Sequence, residues 1–162
     1  MVERTGNMKD LLSIQRIDHD SLRYRETVSL RYRILREPLG LGFTPEQLAS
    51  ESNDLHLAAY AANLDGALVG CLVLSPVDES VIKMRQVAVQ ETLQGRGIGT
   101  ALVEQAEEEA RNRGFARMVL SARDTAVLFY VRHGYEIIGE PYEEVSIPHR
   151  RMMKRLTEPV DA

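Results

Sequence analysis

The sequence predicts an α/β fold built around a mixed sheet, and three observations carry that expectation. Three short apolar runs, Leu55 to Ala62, Ala67 to Leu74 and Val81 to Val89, are separated by turn-forming residues, as in an antiparallel meander. The third run leads through a glycine-rich turn, Gln94-Gly95-Arg96-Gly97-Ile98-Gly99-Thr100, into an amphipathic helical pattern. Strand and helix patterns then alternate to the end of the chain. At 162 residues the chain suits one domain, 1–162, large enough for a single core, with the polar residues 1–10 expected to fray.

Leu11 to Ile17 form a first strand, and Asp18 to Ser21 offer capping oxygens for a helix. That helix runs from Leu22 to Arg36, because Tyr24, Val28, Tyr32 and Leu35 recur at helical spacing, and Pro38 and Gly40 stop it. Its arginines, Arg23, Arg25, Arg31, Arg33 and Arg36, read as a solvated face or as a lip that draws in an acidic molecule. Leu39 to Ser52 is a loop with a short helical start at Pro45-Glu46-Gln47-Leu48. Asn63-Leu64-Asp65-Gly66 makes a hairpin of the next two strands. In Val81 to Val89, Ile82, Met84 and Ala88 share one face, interrupted by Gln86, while Lys83 and Arg85 start the other. So polar a central strand implies that one face lines a solvated cleft.

The helix after the glycines spans Ile98 to Arg113. Ile98, Ala101, Leu102, Ala106 and Ala110 form its buried stripe, with Glu104, Glu107, Glu108 and Arg111 toward water. Glu107–Arg111 and Glu109–Arg113 are i,i+4 pairs worth about 0.3 kcal/mol each. Gly114 ends the helix. Arg117 to Ser121 is a strand, and Asp124 caps a helix carrying Ala126, Phe129 and Tyr130 that stops at Gly134. Tyr135 to Gly139 and Ile147 to Lys154 close the sheet.

Bulk properties exclude several classes. A formal charge of −4 argues against nucleic-acid binding driven by phosphate contacts. No run approaches the roughly 18 apolar residues of a membrane span, and no secretory leader pattern opens the chain, so a cytoplasmic protein is expected. The single cysteine, Cys71, forms no intrachain disulfide; in an apolar strand without a nearby base it reads as core. His19, His56 and His133 lack metal-ligand spacing, so no metal is expected.

Glycines at every second position leave side chains scarce where a helix opens. Its first-turn N–H groups and the positive end of its dipole then suit a phosphate. A Walker loop is absent, since no Gly-Lys-Ser/Thr follows. A dinucleotide fingerprint needs Gly-x-Gly-x-x-Gly directly after a strand; the spacing here is Gly-x-Gly-x-Gly, so an oxidoreductase is disfavoured. A plain strand-to-helix turn that binds nothing is the bland alternative.

Flanking motifs weigh against it. Gln94, Gly97 and Gly99, in the pattern Gln-x-x-Gly-x-Gly, resemble the pyrophosphate loop of the GNAT N-acetyltransferase superfamily. Arg85-Gln86-Val87-Ala88-Val89 resembles its central strand, and Phe129-Tyr130-Val131-Arg132-His133-Gly134-Tyr135 its Phe-Tyr-x-x-x-Gly-Phe/Tyr signature. Tyr142-Glu143-Glu144-Val145-Ser146-Ile147-Pro148-His149 is similar to the ElaA-type bacterial subgroup. The resemblance covers about residues 55 to 155, and the order of the motifs makes it specific.

It implies a mixed, mostly antiparallel central sheet flanked by helices. The implied enzyme transfers an acetyl group from acetyl-CoA directly to a primary amine on a small molecule or peptide, without a metal; a homodimer is left open. In that reading the backbone of Val87, Ala88 and Val89 pairs with pantetheine. Gln94, Gly95, Arg96, Gly97, Ile98, Gly99 and Thr100 hold the pyrophosphate, and Phe129 belongs to the cofactor site. Residues 39–52 cover the acceptor. Tyr130 is the acid that protonates the leaving thiolate, since a phenol with a reference pKa near 10 keeps its proton at neutral pH.

Two positions depart from the pattern. The central-strand glutamate that some members use as base falls on Lys83, so His149, near Glu143 and Glu144, is the substitute: an imidazole exchanges protons near neutral pH. Arg123 stands where the family commonly places an Asn or Gln against CoA, although an arginine can still reach a phosphate. A non-catalytic acyl-CoA sensor on the same fold is the alternative function, against which Tyr130 and the intact glycine loop count. Peptide amine, lysine, polyamine and antibiotic acceptors all stay open.

Overall fold

The structure is a computed structural model that describes residues 8–157. Seven strands, β1 (Leu12–Ile17), β2 (Leu55–Ala61), β3 (Ala67–Pro76), β4 (Val81–Val89), β5 (Arg117–Arg123), β6 (Glu136–Glu144) and β7 (Ile147–Arg155), form a sheet in the order β1-β2-β3-β4-β5-β7-β6. β4 and β5 pair in parallel, whereas β1–β2, β2–β3, β5–β7 and β6–β7 pair antiparallel. The chain divides into two compact units. One runs to Ser75 and takes in Gln86–Ala106; the other comprises Pro76–Arg85 and the chain from Glu107. Among the described residues, no helix is long and apolar enough to cross a membrane.

In the first unit, α1 (Leu22–Arg31) begins where the Ser21 hydroxyl accepts the Tyr24 N–H at 3.1 Å. Its buried face is Tyr24, Thr27, Leu30 and Arg31. The expected stripe fails at Tyr32, which is exposed where the helix widens into a π turn at Tyr32–Arg36, whereas Leu35 packs against the cluster of Leu30, Cys71 and Ala88. The expectation of five solvated arginines fails at Arg31, whose guanidinium is buried against Glu51. α2 (Pro45–Ala49) forms as expected, and the Thr44 and Gln47 side chains cap it reciprocally.

The β2–β3 hairpin turns through Asp65 and Gly66, both left-handed, with φ of 57° and 73°. Leu57, Ala58, Cys71, Leu72 and Val73 fill the core between its faces and the helices of this unit. Gly70 of β3 permits close packing: a Cβ there would lie 2.8 Å from Leu102 Cδ1 and 3.3 Å from the Ala88 carbonyl oxygen. Frayed N-terminal residues were expected through residue 10, yet Met8 is buried and donates its N–H to the Arg96 oxygen at 2.8 Å. The remainder of that expectation, residues 1–7, lies outside the described residues.

α3 (Ile98–Asn112) buries Ile98, Ala101, Leu102, Ala106 and Ala110 as its periodicity requires. Glu107 departs from the expected solvent face and is only 4% exposed. Its carboxylate accepts the Tyr135 hydroxyl at 2.9 Å and the Lys154 ammonium at 2.8 Å, and these partners offset its desolvation. Arg111 still approaches Glu107 at 3.7 Å, and Arg113 approaches Glu109 at 3.8 Å.

In the second unit, Asp124 does not cap a helix. It opens a 3₁₀ turn, Asp124–Ala126, and α4 (Val127–Arg132) follows with no side-chain cap. Gly134, at φ 89°, reverses the chain after α4. β6 runs on to Glu144, beyond the expected Gly139, and a two-residue turn returns the chain into β7. Both turn residues, Val145 and Ser146, are left-handed, as a tight hairpin with right-handed strand twist demands. The β6–β7 register shifts between Ile138 and Tyr142, around Gly139 at φ 70°.

Candidate active site

The first unit carries the glycine turn. Gly95 and Gly97 hold φ of 80° and 88°, values that L side chains rarely adopt, so the backbone path itself requires glycine. Ala101 donates to the Gly97 oxygen at 3.0 Å as α3 opens, and the first turn of a helix points its N–H groups outward. Ile98 is core; what it can offer a ligand is backbone. Gln94 ties the turn to the strand end by donating from Nε2 to the Val89 oxygen at 3.2 Å.

β4 is bent just before this turn. Gln86, in mid-strand, has φ 55°, an uncommon conformation for a non-glycine residue and a recurrent one at functional sites. Registered pairing with β5 covers Val81, Ile82 and Lys83, while β4 continues to Val89. Ala88 packs against Leu30 and Cys71, so at the strand end too it is the backbone that can face a ligand. Arg31 braces the bend by donating from Nε to Gln86 Oε1 at 3.4 Å. Glu51 holds that guanidinium at 2.9 and 2.7 Å, and Tyr24 donates to Glu51 at 2.7 Å. This network escaped the sequence reading because its members are 20 to 55 residues apart. Within the expected acceptor cover, Phe43 lies with the Arg31 and Arg36 guanidiniums each 4.8 Å from its ring centre. Cys71 is core, donating weakly to the Thr27 oxygen, and burial pushes its thiol up to about 12.

The second unit carries Phe129, Tyr130 and His149. Tyr130 projects from α4 into a ring cluster, 5.0 Å from Phe129 and 5.7 Å from Tyr135. Burial pushes its phenol up to about 12, so it keeps its proton at neutral pH. His149 stands in a separate cluster, 5.9 Å from the Tyr142 ring. Its Nδ1 lies 2.8 Å from the Ile147 carbonyl oxygen and donates to it. That bond leaves the lone pair of a neutral ring on Nε2, which faces Glu144 at 3.7 Å. Arg123 is half-buried on β5, opposite His149 in the register.

A cavity of about 380 Å³ opens beside this second cluster, lined by Lys83, Ser121, Ile138, Tyr142, Glu144 and Arg151 among others. The sequence hinted at it through Lys83 in a central strand, but the residues facing Lys83 depend on the β5–β7 and β6–β7 registers. Among the described residues, no group of three or more His, Cys, Asp or Glu is arranged to hold a metal ion.

The sequence profile described as "Acetyltransferase (GNAT) family" matches residues 19–135. The chain belongs to that family. A Bacillus subtilis protein named uncharacterized N-acetyltransferase YjcF is 32% identical over 73 residues, 44% of this chain and 52% of YjcF, so the match spans about half the length of that relative. Escherichia coli ElaA superposes with a TM-score of 0.72 at 21% identity, covering 89% of this chain and 99% of ElaA. A GNAT family acetyltransferase of Elizabethkingia anophelis, solved with acetyl-CoA bound, superposes with a TM-score of 0.69 at 18% identity, covering 90% and 99%. At these identities the two structures establish the fold, a mixed and mostly antiparallel sheet with helices.

Proposed function

We propose that the chain transfers an acetyl group from acetyl-CoA directly to a primary amine. The observation that carries this reading is the left-handed pair Gly95 and Gly97 at the opening of α3, immediately beyond a central strand bent at Gln86. In this reading the Val87–Val89 backbone, beyond the left-handed Gln86, pairs with an extended amide-bearing ligand, and the glycine turn offers N–H groups to a pyrophosphate. Family membership and the acetyl-CoA-bound relative support acetyl-CoA as co-substrate.

In this reading the amine nitrogen attacks the thioester carbonyl carbon and the C–S bond breaks. A backbone N–H of Val87–Val89 polarises the carbonyl oxygen. The proton lost by the amine passes to His149 Nε2, whose orientation Ile147 fixes through Nδ1. Tyr130 gives its phenolic proton to the departing sulfur. An assay of CoA thiol release from acetyl-CoA over a panel of primary amines, with the full chain, tests the proposal. Saturable, amine-dependent release is expected; acetyl-CoA binding without turnover of any amine would instead favour a sensor. His149→Gln should lower the amine-dependent rate while leaving acetyl-CoA binding intact, and an unchanged rate would assign His149 a structural role.

A further inference from the structure

We infer that the acceptor amine carries an oxyanion, and that Lys83 and Arg151 hold it in the cavity on the open sheet face of the second unit. The inference rests on the amine-acetylating reading above and narrows its substrate class. Register places the residues. Lys83 lies opposite Val119, Ser121 opposite Arg151, and Arg151 opposite Ile138. Side chains directly opposite one another share a face, and alternate residues along a strand do too, so Lys83, Ser121, Arg151 and Ile138 project together. Their neighbours Ile82, Met118 and Met152 point the other way and are fully buried.

Two cations therefore converge on one cavity of about 380 Å³ whose lining includes a single acid, Glu144. Lys83 and Arg151 reach the cavity from strands on either side of β5, and an anion between them would offset the repulsion of two like charges focused on one cleft. The Arg151 guanidinium stacks 5.3 Å from the centre of the Tyr142 ring, which orients its planar N–H fork as carboxylate or phosphate binding requires. Ser121 contributes a hydroxyl that can donate to the same anion.

The lining is polarised. Glu144 carries the negative charge and lies 3.7 Å from His149 Nε2, the nitrogen proposed to take the amine proton. Lys83 and Arg151 supply the positive end. A ligand with an ammonium at one end and a carboxylate or phosphate at the other matches this distribution, whereas a polyamine meets two repelling cations. The cavity volume sits at the small end of ligand sites, which favours a small molecule.

The test uses the full chain with acetyl-CoA and four acceptors of equal carbon length: butylamine, 4-aminobutanoate, 4-aminobutyl phosphate and 1,4-diaminobutane. One of the two anionic amines should exceed butylamine in kcat/KM by roughly ten- to a hundredfold, the range of a charge-assisted contact. Whichever leads identifies the oxyanion, and the diamine should be the poorest. Lys83→Gln and Arg151→Gln should each shrink the anionic-to-neutral ratio through the acceptor KM, leaving the KM for acetyl-CoA unchanged. A purely structural defect would lower all four rates together. A ratio near one in the wild type, or a ratio that neither substitution alters, overturns the inference. If no amine is acetylated, the transfer reading fails by itself, and calorimetric titration with the two anionic amines then decides the site. Saturable binding lost in Lys83→Gln would sustain the site, and no binding to wild type would end it.

Discussion

Arg31 and Glu51 form a bidentate ion pair out of water, with side-chain exposures of 1% and 3% and N–O distances of 2.9 and 2.7 Å. The pair connects α1 to the loop before β2 and, through Gln86, to the bend of β4. Charges buried together are stabilising mainly in the sense that neither can be removed alone.

Arg31→Met should therefore destabilise the fold by about 3–5 kcal/mol, because it strands a buried carboxylate. Adding Glu51→Met should recover most of that loss, since two apolar side chains need no partner. Urea unfolding of the three proteins measures both effects. A single-variant cost below about 1 kcal/mol would show that the pair is hydrated in solution.

Gly97→Asp places a carboxylate in the glycine turn and forces a left-handed φ on a non-glycine residue. Affinity for acetyl-CoA should fall at least roughly tenfold, from repulsion of the phosphates and loss of close approach. Circular dichroism and equilibrium titration report folding and binding separately. A folded variant with wild-type affinity would remove the turn from the cofactor site.

Tyr130→Phe keeps the ring contacts with Phe129 and Tyr135 and deletes the hydroxyl proposed to donate the proton. The transfer rate should drop by about 10²-fold, within the range for a general acid, while acetyl-CoA binding changes little. Single-turnover measurements with a good amine decide the matter. A loss under about threefold would mean that solvent protonates the thiolate, since a free thiol titrates near 8.5.

His56 introduces an acid sensitivity of the fold. Burial is the first cause that lowers its pKa below the ordinary 6.5, and the Glu51 oxygen 3.0 Å from Nε2 opposes the shift only in part. A depressed folded-state pKa means that the unfolded chain takes up the proton more readily. The stabilisation is thus complete above about pH 6.5 and is lost as pH falls below it. The urea midpoint of the wild type should decline between pH 7 and 5, and that decline should be smaller in His56→Gln. Parallel profiles would assign the acid limb to other groups.

Local rules made much of the fold readable. The β2–β3 hairpin, the α3 stripe and the glycine turn each draw their signal from residues close in sequence, where turn chemistry and periodicity act. Arg31 and Glu107 were misplaced for the opposite reason. A helical wheel assigns a charge to water unless its partner is known, and the partners lie on Glu51, Tyr135 and Lys154. The π turn at Tyr32–Arg36 and the left-handed Gln86 had no compositional mark, because neither uses glycine or proline. The motif resemblance supplied candidate site residues that periodicity could not. It did not supply the cavity of Lys83 and Arg151, which exists only once four strands, β4 to β7, are in register.

The interruption of β6 has a bearing on assembly. β6 is the outer strand of the sheet, and its rungs to β7 come as Glu136–Ile138 and Tyr142–Glu144, either side of Gly139-Glu140-Pro141. Pro141 has no N–H to offer, and the glutamates at 136, 140, 143 and 144 crowd negative charge along the rim. A strand arriving from another molecule would find no straight template longer than three residues. The edge is thereby guarded against the sheet-to-sheet growth that leads to aggregation.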